Sequence, residues 1–136
     1  MREIVFKAPL FGEPAVRRQS EDIMRLLLEA LTRADEMFLA VNPRAPSLYG
    51  SGVVYRRETI GVELWQGIEE CLRLGYGDCE DLASWRAAEL RRQGIAARAD
   101  FSVQQHGDLL VYHIFVLHPN GTKEDPSKLL GMGKVA

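Results

Sequence analysis

Cys79 is the residue on which chemistry could turn, and the sequence around it reads as the start of a helix. Gly75 and Gly77 break what precedes, and the carboxylate of Asp78 can accept from a free backbone N–H in a first helical turn. Asp81 falls three residues later, where a capping box has a side chain that reaches back. Cys79 then occupies the first helical position. A thiolate there faces unpaired backbone donors and the positive end of the helix dipole, which lowers a cysteine pKa. Asp78, Glu80 and Asp81 act in the opposite sense if they point at the sulfur; capping would direct the two aspartates at the backbone instead. The Cys79 N–H, unbonded within a helix, is a candidate oxyanion donor. A cationic partner for the thiolate has to come from elsewhere in the chain.

His113 can supply it. It interrupts the apolar run Leu109–Leu117, a strand with apolar residues on both faces and so a central one. A histidine in such a strand is commonly a bonded core residue, but the turn that follows gives this one a partner. Pro119-Asn120-Gly121 fits a three-residue hairpin loop, with Gly121 in the left-handed region forming a bulge. That register pairs His118 with Thr122, Leu117 with Lys123 and Phe115 with Asp125. Residues 113, 115 and 125 then share one face, and Asp125 is the diagonal neighbour of His113. A two-residue Asn-Gly turn would instead place Asp125 on the opposite face; the proline ahead of it favours the longer loop. Cys79 as nucleophile, His113 as base and Asp125 as the group that orients the imidazole make one mechanism. It requires a Cys79 that reacts well below pH 8.

The elements that must position these residues are legible in outline. Residues 2–8 make a first strand, ended by Pro9, and a loop with Gly12 and Pro14 follows. A helix starts near Ser20 and stops at Asn42-Pro43, with an apolar stripe of Ile23, Leu26, Leu27, Ala30, Leu31, Ala34, Phe38 and Val41. Residues 43–52 are loop chemistry, and 53–57 are a short extended piece or more loop. A second helix spans about 62–74, with Val62, Trp65, Ile68 and Leu72 on one face and Gly75 as its stop. A third runs from Cys79 to near Gln93, with Gly94 as its left-handed cap; its charged end (Glu89, Arg91, Arg92) reads as a solvated face. Strand periodicity begins near Ile95. His106-Gly107-Asp108 is a turn, and Lys123–Asp125 is the returning strand. His106 and His118, both in turns, read as solvated, and residues 127–136 have no clear period. The class is α+β, helices first and then an antiparallel sheet against the Cys79 helix.

Composition narrows the function. A chain of 136 residues suits one domain, residues 1–136. With 17 basic and 19 acidic residues, the net charge of −2 gives no electrostatic case for nucleic acid or an anionic membrane. No apolar run reaches the roughly 18 residues of a membrane span, and Met1–Lys7 lacks a signal-peptide core. Cys71 lies within a helical pattern beside Ile68 and Leu72, so it is expected buried, inert and unbridged to Cys79. Free thiols without an export signal suggest a reducing compartment, the cytoplasm. No cofactor or metal is expected: capping explains the aspartates near Cys79, no zinc-type Cys/His spacing exists, and no phosphate-binding glycine loop is present.

Gly-Asp-Cys-Glu-Asp-Leu-Ala (77–83), the helix ending at Gly94-Ile95, Tyr-His-Ile-Phe-Val (112–116) and Asp-Pro-Ser (125–127) together resemble the transglutaminase-like superfamily of papain-like cysteine enzymes. The resemblance covers about the last two-thirds of the chain. The acidic Gly-Asp-Cys-x-Asp start is similar to bacterial transglutaminase-like cysteine peptidases especially. The run ending Glu-Asp-Pro-Ser-Lys-Leu-Leu-Gly-Met is similar to small stand-alone proteins encoded by phages and prophages. What the resemblance implies is a papain-like fold, Cys79, His113 and Asp125 as the triad, and acyl transfer on protein or peptide amides: hydrolysis, deamidation or transamidation. For the second oxyanion donor that the family has, Tyr55 and Trp65 are the candidates, either of which could simply be a packing aromatic. The departures are His-Ile-Phe-Val where the family often has His-Ala-Trp-Val, a His-to-Asp separation of only 12 residues, and no accessory domains. The rival reading is a non-enzymatic binding or assembly module that keeps the fold.

Overall fold

The computed structural model describes residues 17–57, 64–107 and 109–133; the expected strand 2–8 and the loop after it lie outside them. Along the chain come α1 (Arg17–Val41), β1 (Val54–Tyr55), α2 (Ile68–Leu74), β2 (Tyr76–Gly77), α3 (Cys79–Arg92), β3 (Arg98–His106), β4 (Leu109–Leu117), β5 (Lys123–Glu124) and α4 (Pro126–Leu129). The fold is α+β. β3, β4 and β5 form an antiparallel sheet in that order, with β4 central, and β1 and β2 form a separate parallel pair.

α3 is the element around which the core is built. Its residues 80–85, 87, 88 and 90 are all buried. One side (Leu82, Trp85, Ala88) packs against Leu39, Leu48, Val53, Ile68 and Cys71; the other (Ala83, Leu90) packs against Met24 and Leu28 of α1 and Ile114 and Val116 of β4. The small residues Ala83, Ala87 and Ala88 let neighbouring elements approach on both sides. Of the charged end of α3, Arg92 is exposed as expected, but Glu89 and Arg91 are not part of a solvated face. Arg91 makes two 2.8 Å bonds to Glu29 of α1 and a 2.8 Å bond to the Ala97 carbonyl, and Glu89 accepts the Leu48 N–H at 2.8 Å.

α1 ends as expected at Val41, but it is already helical at Arg17, and Ser20 is a buried interior residue rather than a cap. It also turns a different face inward. The buried line is Ser20, Met24, Leu28, Thr32, Asp35 and Leu39. Leu26 and Val41, counted in the apolar stripe, are 72% and 78% exposed. The polar members of the buried line have specific partners. The Thr32 hydroxyl donates to the Leu28 carbonyl at 2.8 Å, and Asp35 Oδ1 accepts the Ile68 N–H of α2 at 3.1 Å.

That second bond corrects the start of α2. Residues 64–67 are not helical, and Trp65 precedes the helix instead of lying on it. Gly67, at the cap position, has no side chain to take the first N–H, so Asp35 does so from α1. Asp81 Oδ1 holds Gln66 in the same segment through its N–H, at 2.7 Å. The other end follows expectation: Gly75 adopts φ 82° and donates to the Cys71 carbonyl at 2.8 Å. Cys71 is fully buried and unbridged, and burial, with Asp81 nearby, pushes its thiol up to about 12. A Cβ at Gly77 would come within 3.1 Å of Cys71 Sγ and of the Asp81 Cβ, so any larger residue here would push these neighbours apart by a few tenths of an ångström.

All nine residues of β4 pair with β3, from Arg98↔Leu117 to His106↔Leu109. The strand therefore begins later than the change of period at Ile95 suggested, and continues through His106. The hairpin after β4 takes the three-residue form. Leu117 pairs with Lys123, the His118 N–H donates to the Thr122 carbonyl at 2.9 Å, and Gly121 adopts φ 87°. β5 ends at Glu124. Asp125 then caps α4, a turn of helix with no apolar period to announce it, by accepting the Lys128 N–H at 3.2 Å.

Candidate active site

The first turn of α3 forms the capping box that its residues suggest. The Asp78 side chain caps the turn, and Asp81 Oδ2 accepts the Asp78 N–H at 2.9 Å. The box has a chemical consequence: Asp78 Oδ1 accepts the Cys79 N–H at 2.7 Å, so this donor is not open to an oxyanion as expected.

The thiol of Cys79 is half-buried and donates to Glu80 Oε2 at 3.4 Å. Its pKa is driven far up, first by burial, then by the charges of Glu80 and Asp78; a hydrogen bond from the Ile114 backbone N–H acts in the other direction. The helix terminus was expected to lower this pKa, and magnitudes say why it does not. A helix end contributes about 0.3–1 kcal/mol, whereas two like charges ~4 Å apart cost about 4 kcal/mol at an effective dielectric of ~20. The resting side chain is a neutral thiol.

His113 and Asp125 are joined by a 2.6 Å bond between Nε2 and Oδ2. They meet because residues 113 and 125 share one sheet face in the observed register, while Ile114 and Val116 face α1 and α3. With Nε2 engaged, Nδ1 is the ring nitrogen left for a second partner. Cys79 reaches this strand at the neighbouring residue. The N–H of residue 118 points toward β5, so by alternation those of 116 and 114 point to the same edge. β5 covers that edge only as far as Val116, and the Cys79 side chain packs against the cluster that contains Ile114. Among the described residues no hydrogen bond joins Cys79 Sγ to the His113 ring: the thiol approaches from the helix side and round the strand edge, while the imidazole leaves from the other face.

Tyr55 and Trp65 stand differently toward this site. The parallel pairing Tyr55↔Gly77 sets Tyr55 beside the cap of α3. Burial, then the charges of Asp78 and Cys79, push its phenol up to about 12, and among the described residues the hydroxyl makes no hydrogen bond. Trp65 is half-buried against the apolar cluster of Met24, Leu28, Ala83 and Ile114 that Cys79 also touches. It has the surroundings of a packing aromatic.

Asp78, Cys79 and Glu80 bring ligand atoms within 4.8 Å of one another and are the residues that could hold a metal ion. Of the three anions that the sequence set near the sulfur, Glu80 is the one whose carboxylate takes the thiol. Sequence reasoning missed a second histidine–carboxylate pair. His118, expected to be solvated, is half-buried and bonds Glu124 Oε1 through Nε2 at 2.9 Å. The register arithmetic that placed Asp125 beside His113 places Glu124 diagonally beside His118. Comparison with protein-family models, with curated proteins and with solved structures finds no match. No helix among the described residues is long and apolar enough to cross a membrane.

Proposed function

We propose that this chain is a cysteine-dependent acyl-transfer enzyme acting on protein or peptide amides, with a papain-like, transglutaminase-like arrangement of helix and sheet. Cys79 is the nucleophile, His113 the base, and Asp125 the group that fixes the imidazole. The observation that carries this reading is the His113 Nε2–Asp125 Oδ2 bond of 2.6 Å, which leaves Nδ1 open on a strand whose next residue, Ile114, belongs to the cluster against which Cys79 packs. In the reaction, the Sγ proton passes to His113 Nδ1 as sulfur attacks the amide carbonyl carbon. The C–N bond breaks, and the imidazolium returns the proton to the departing nitrogen. The thioester is then cleaved by water or an amine, with His113 again the base. Asp125 holds the ring and supports its charge without taking the proton. Tyr55 is the donor best placed for the oxyanion, since its hydroxyl is uncommitted and the Cys79 N–H is not.

One observation favours a second reading, a binding or assembly module with the same fold: the thiol at rest is neutral and held by Glu80. The raised pKa of the resting thiol runs against the expectation that a catalytic Cys79 reacts well below pH 8; for an enzyme, the substrate has to displace the Glu80 contact. The deciding experiment incubates the protein with a panel of casein peptides and a primary amine, following ammonia release and new bonds by mass spectrometry. Turnover that disappears in Cys79→Ala supports the enzyme; turnover that survives it removes the thiol mechanism; no turnover, with Cys79 alkylation indifferent to His113→Ala, supports the module.

A further inference from the structure

The Glu124 carboxylate is held by three side chains near the site. Oε2 accepts from Arg86 Nε of α3 at 2.7 Å and from the Tyr49 hydroxyl, and Oε1 contacts His118 Nε2 at 2.9 Å. Arg86 also reaches Glu89 at 3.3 Å and lies over the Tyr49 ring, 5.2 Å from its centroid. The network is half-buried, with Arg86 and Glu124 side chains 21% and 19% exposed. Its members come from the loop after α1, from α3, from the end of β4 and from β5.

Two facts give this network a task. β5 has only two ladder residues, so two pairings with β4 hold it in the sheet, and Asp125 comes directly after it. Arg86 stands seven residues from Cys79 on the same helix, about 10 Å along its axis at 1.5 Å per residue. The Arg86–Glu124 contact is therefore a side-chain tie between the helix that carries Cys79 and the strand that delivers Asp125. The cap of α4 fixes Asp125 locally, and α4 itself packs on α3, so the Glu124 network adds a directional polar tie to an apolar one.

We propose that Glu124, gripped by Arg86, Tyr49 and His118, is a positioning residue that registers the Cys79 helix against the His113–Asp125 pair. This rests on the thiol reading given above and adds to it a residue outside the triad. Removing the carboxylate frees Arg86 and lets the β5 end drift. Asp125 then loses its short approach to Nε2, and the imidazole loses the contact that fixes its orientation and leaves Nδ1 for a second partner.

The test compares the full chain with Glu124→Ala, Arg86→Ala, Glu124→Gln and Arg91→Ala. Arg91→Ala is the control: it breaks the bridge between α3 and Glu29 of α1, a different tie on the same helix. Two quantities are measured: the nitrogen-bound proton resonance of the His113 ring and the pH profile of Cys79 alkylation by iodoacetamide. Glu124→Ala and Arg86→Ala are expected to shift or abolish the resonance and to move the profile. Glu124→Gln, which keeps an acceptor for Tyr49 or Arg86, gives a smaller shift. Arg91→Ala lowers the melting temperature and leaves both readouts in place. If Glu124→Ala and Arg86→Ala lower the melting temperature as Arg91→Ala does but leave the His113 resonance and the profile unmoved, the proposal is overturned. Should Glu124→Ala not fold, Glu124→Gln and Arg86→Lys decide by the same readouts. The resonance reports the His113–Asp125 contact whether or not any substrate is turned over. A failed enzyme reading therefore shows in the turnover assay, and a failed positioning role shows in the spectrum.

Discussion

Two histidine–carboxylate pairs sit on one hairpin, on opposite faces of the sheet. His113–Asp125 and His118–Glu124 have bond lengths of 2.6 and 2.9 Å, and their histidine side chains are 27% and 22% exposed. Neither length nor burial tells them apart. The difference lies in what surrounds each. Glu124 is saturated by an arginine, a tyrosine and a histidine, and its face packs toward α3. Among the described residues Asp125 takes His113 and one backbone N–H, and its histidine is next along the strand to Ile114, in the cluster against which Cys79 packs. A histidine–acid pair is thus a common product of hairpin register. A chemical role depends on whether the second ring nitrogen has something to act on.

The largest expected effect breaks the comparison directly. Cys79→Ala abolishes turnover, because it removes the nucleophile, and the Tyr55 phenol beside the helix start is held protonated by burial and the nearby charges. His113→Ala is nearly as severe, since it removes the base, and the double variant is no worse than either single one, as for groups that act as a unit. His118→Ala retains far more activity than His113→Ala. Equal losses at His113 and His118 in the casein-peptide assay would show that the pairs are not different in kind.

Next in size is the effect of Glu80. Burial and the Glu80 and Asp78 charges hold the Cys79 thiol protonated, so alkylation of the resting protein at pH 7 is slow. Glu80→Gln removes the nearest of those charges. A lowering of the thiol pKa by one unit multiplies the thiolate fraction about tenfold while the thiol remains mostly protonated. The iodoacetamide rate at Cys79 is expected to rise accordingly, and Cys71 stays unlabelled in both proteins. An unchanged rate would mean that burial and the Asp78 charge hold the proton without Glu80.

Asp125→Ala should be milder in turnover than His113→Ala, because the aspartate orients without exchanging a proton. It carries a stability cost that His113→Ala does not. The Asp125 cap on α4 is lost along with the ring contact, and a lost cap is worth roughly 0.5–2 kcal/mol. Denaturant unfolding of the two variants side by side separates the roles: similar stabilities would show that the cap contributes nothing.

What could be read from the sequence was local. Asp78 and Asp81 stand at capping-box spacing, Pro119-Asn120-Gly121 selects one turn, and that turn sets the register that joins His113 to Asp125. Gly75 and Gly94 stop their helices where expected, at φ 82° and 84°. What could not be read depended on partners distant in sequence. The inward face of α1 contains Thr32 and Asp35, so the most apolar stripe was the wrong one; Asp35 is buried because α2 needs a cap that its own Gly67 cannot give. Glu89 and Arg91 resemble a wet helix end until Leu48 and Glu29 are brought to them. β2 and α4 are too short to have a period. At the site, the charges near Cys79 were all visible, but their sum depended on burial and on which way Glu80 points.

Asp35 gives the smallest effect, and it extends the comparison to a carboxylate with one bonded oxygen. Oδ1 accepts the Ile68 N–H, while Oδ2 has no hydrogen-bond partner among the described residues. Burial raises its pKa well above the usual carboxylate range; the Ile68 N–H lowers it in part, and Asp81 adds to the rise. A raised folded-state pKa means that the native state binds the proton more tightly than the unfolded chain does. The stability this gives is fully present below the unfolded value of about 3.9 and is lost as pH rises through the raised native value. Asp35→Asn keeps the acceptor for Ile68 and removes the titration. The variant should therefore be less dependent on pH, and at pH 8 equal to or more stable than the parent by an amount on the order of 1 kcal/mol for each unit of raised pKa. Chemical denaturation at pH 5 and pH 8 measures it. A parent that loses no stability relative to Asp35→Asn between those values would show that Asp35 is ionised and fully solvated by neighbours, in which case its single bond to α2 is not what keeps it in the core.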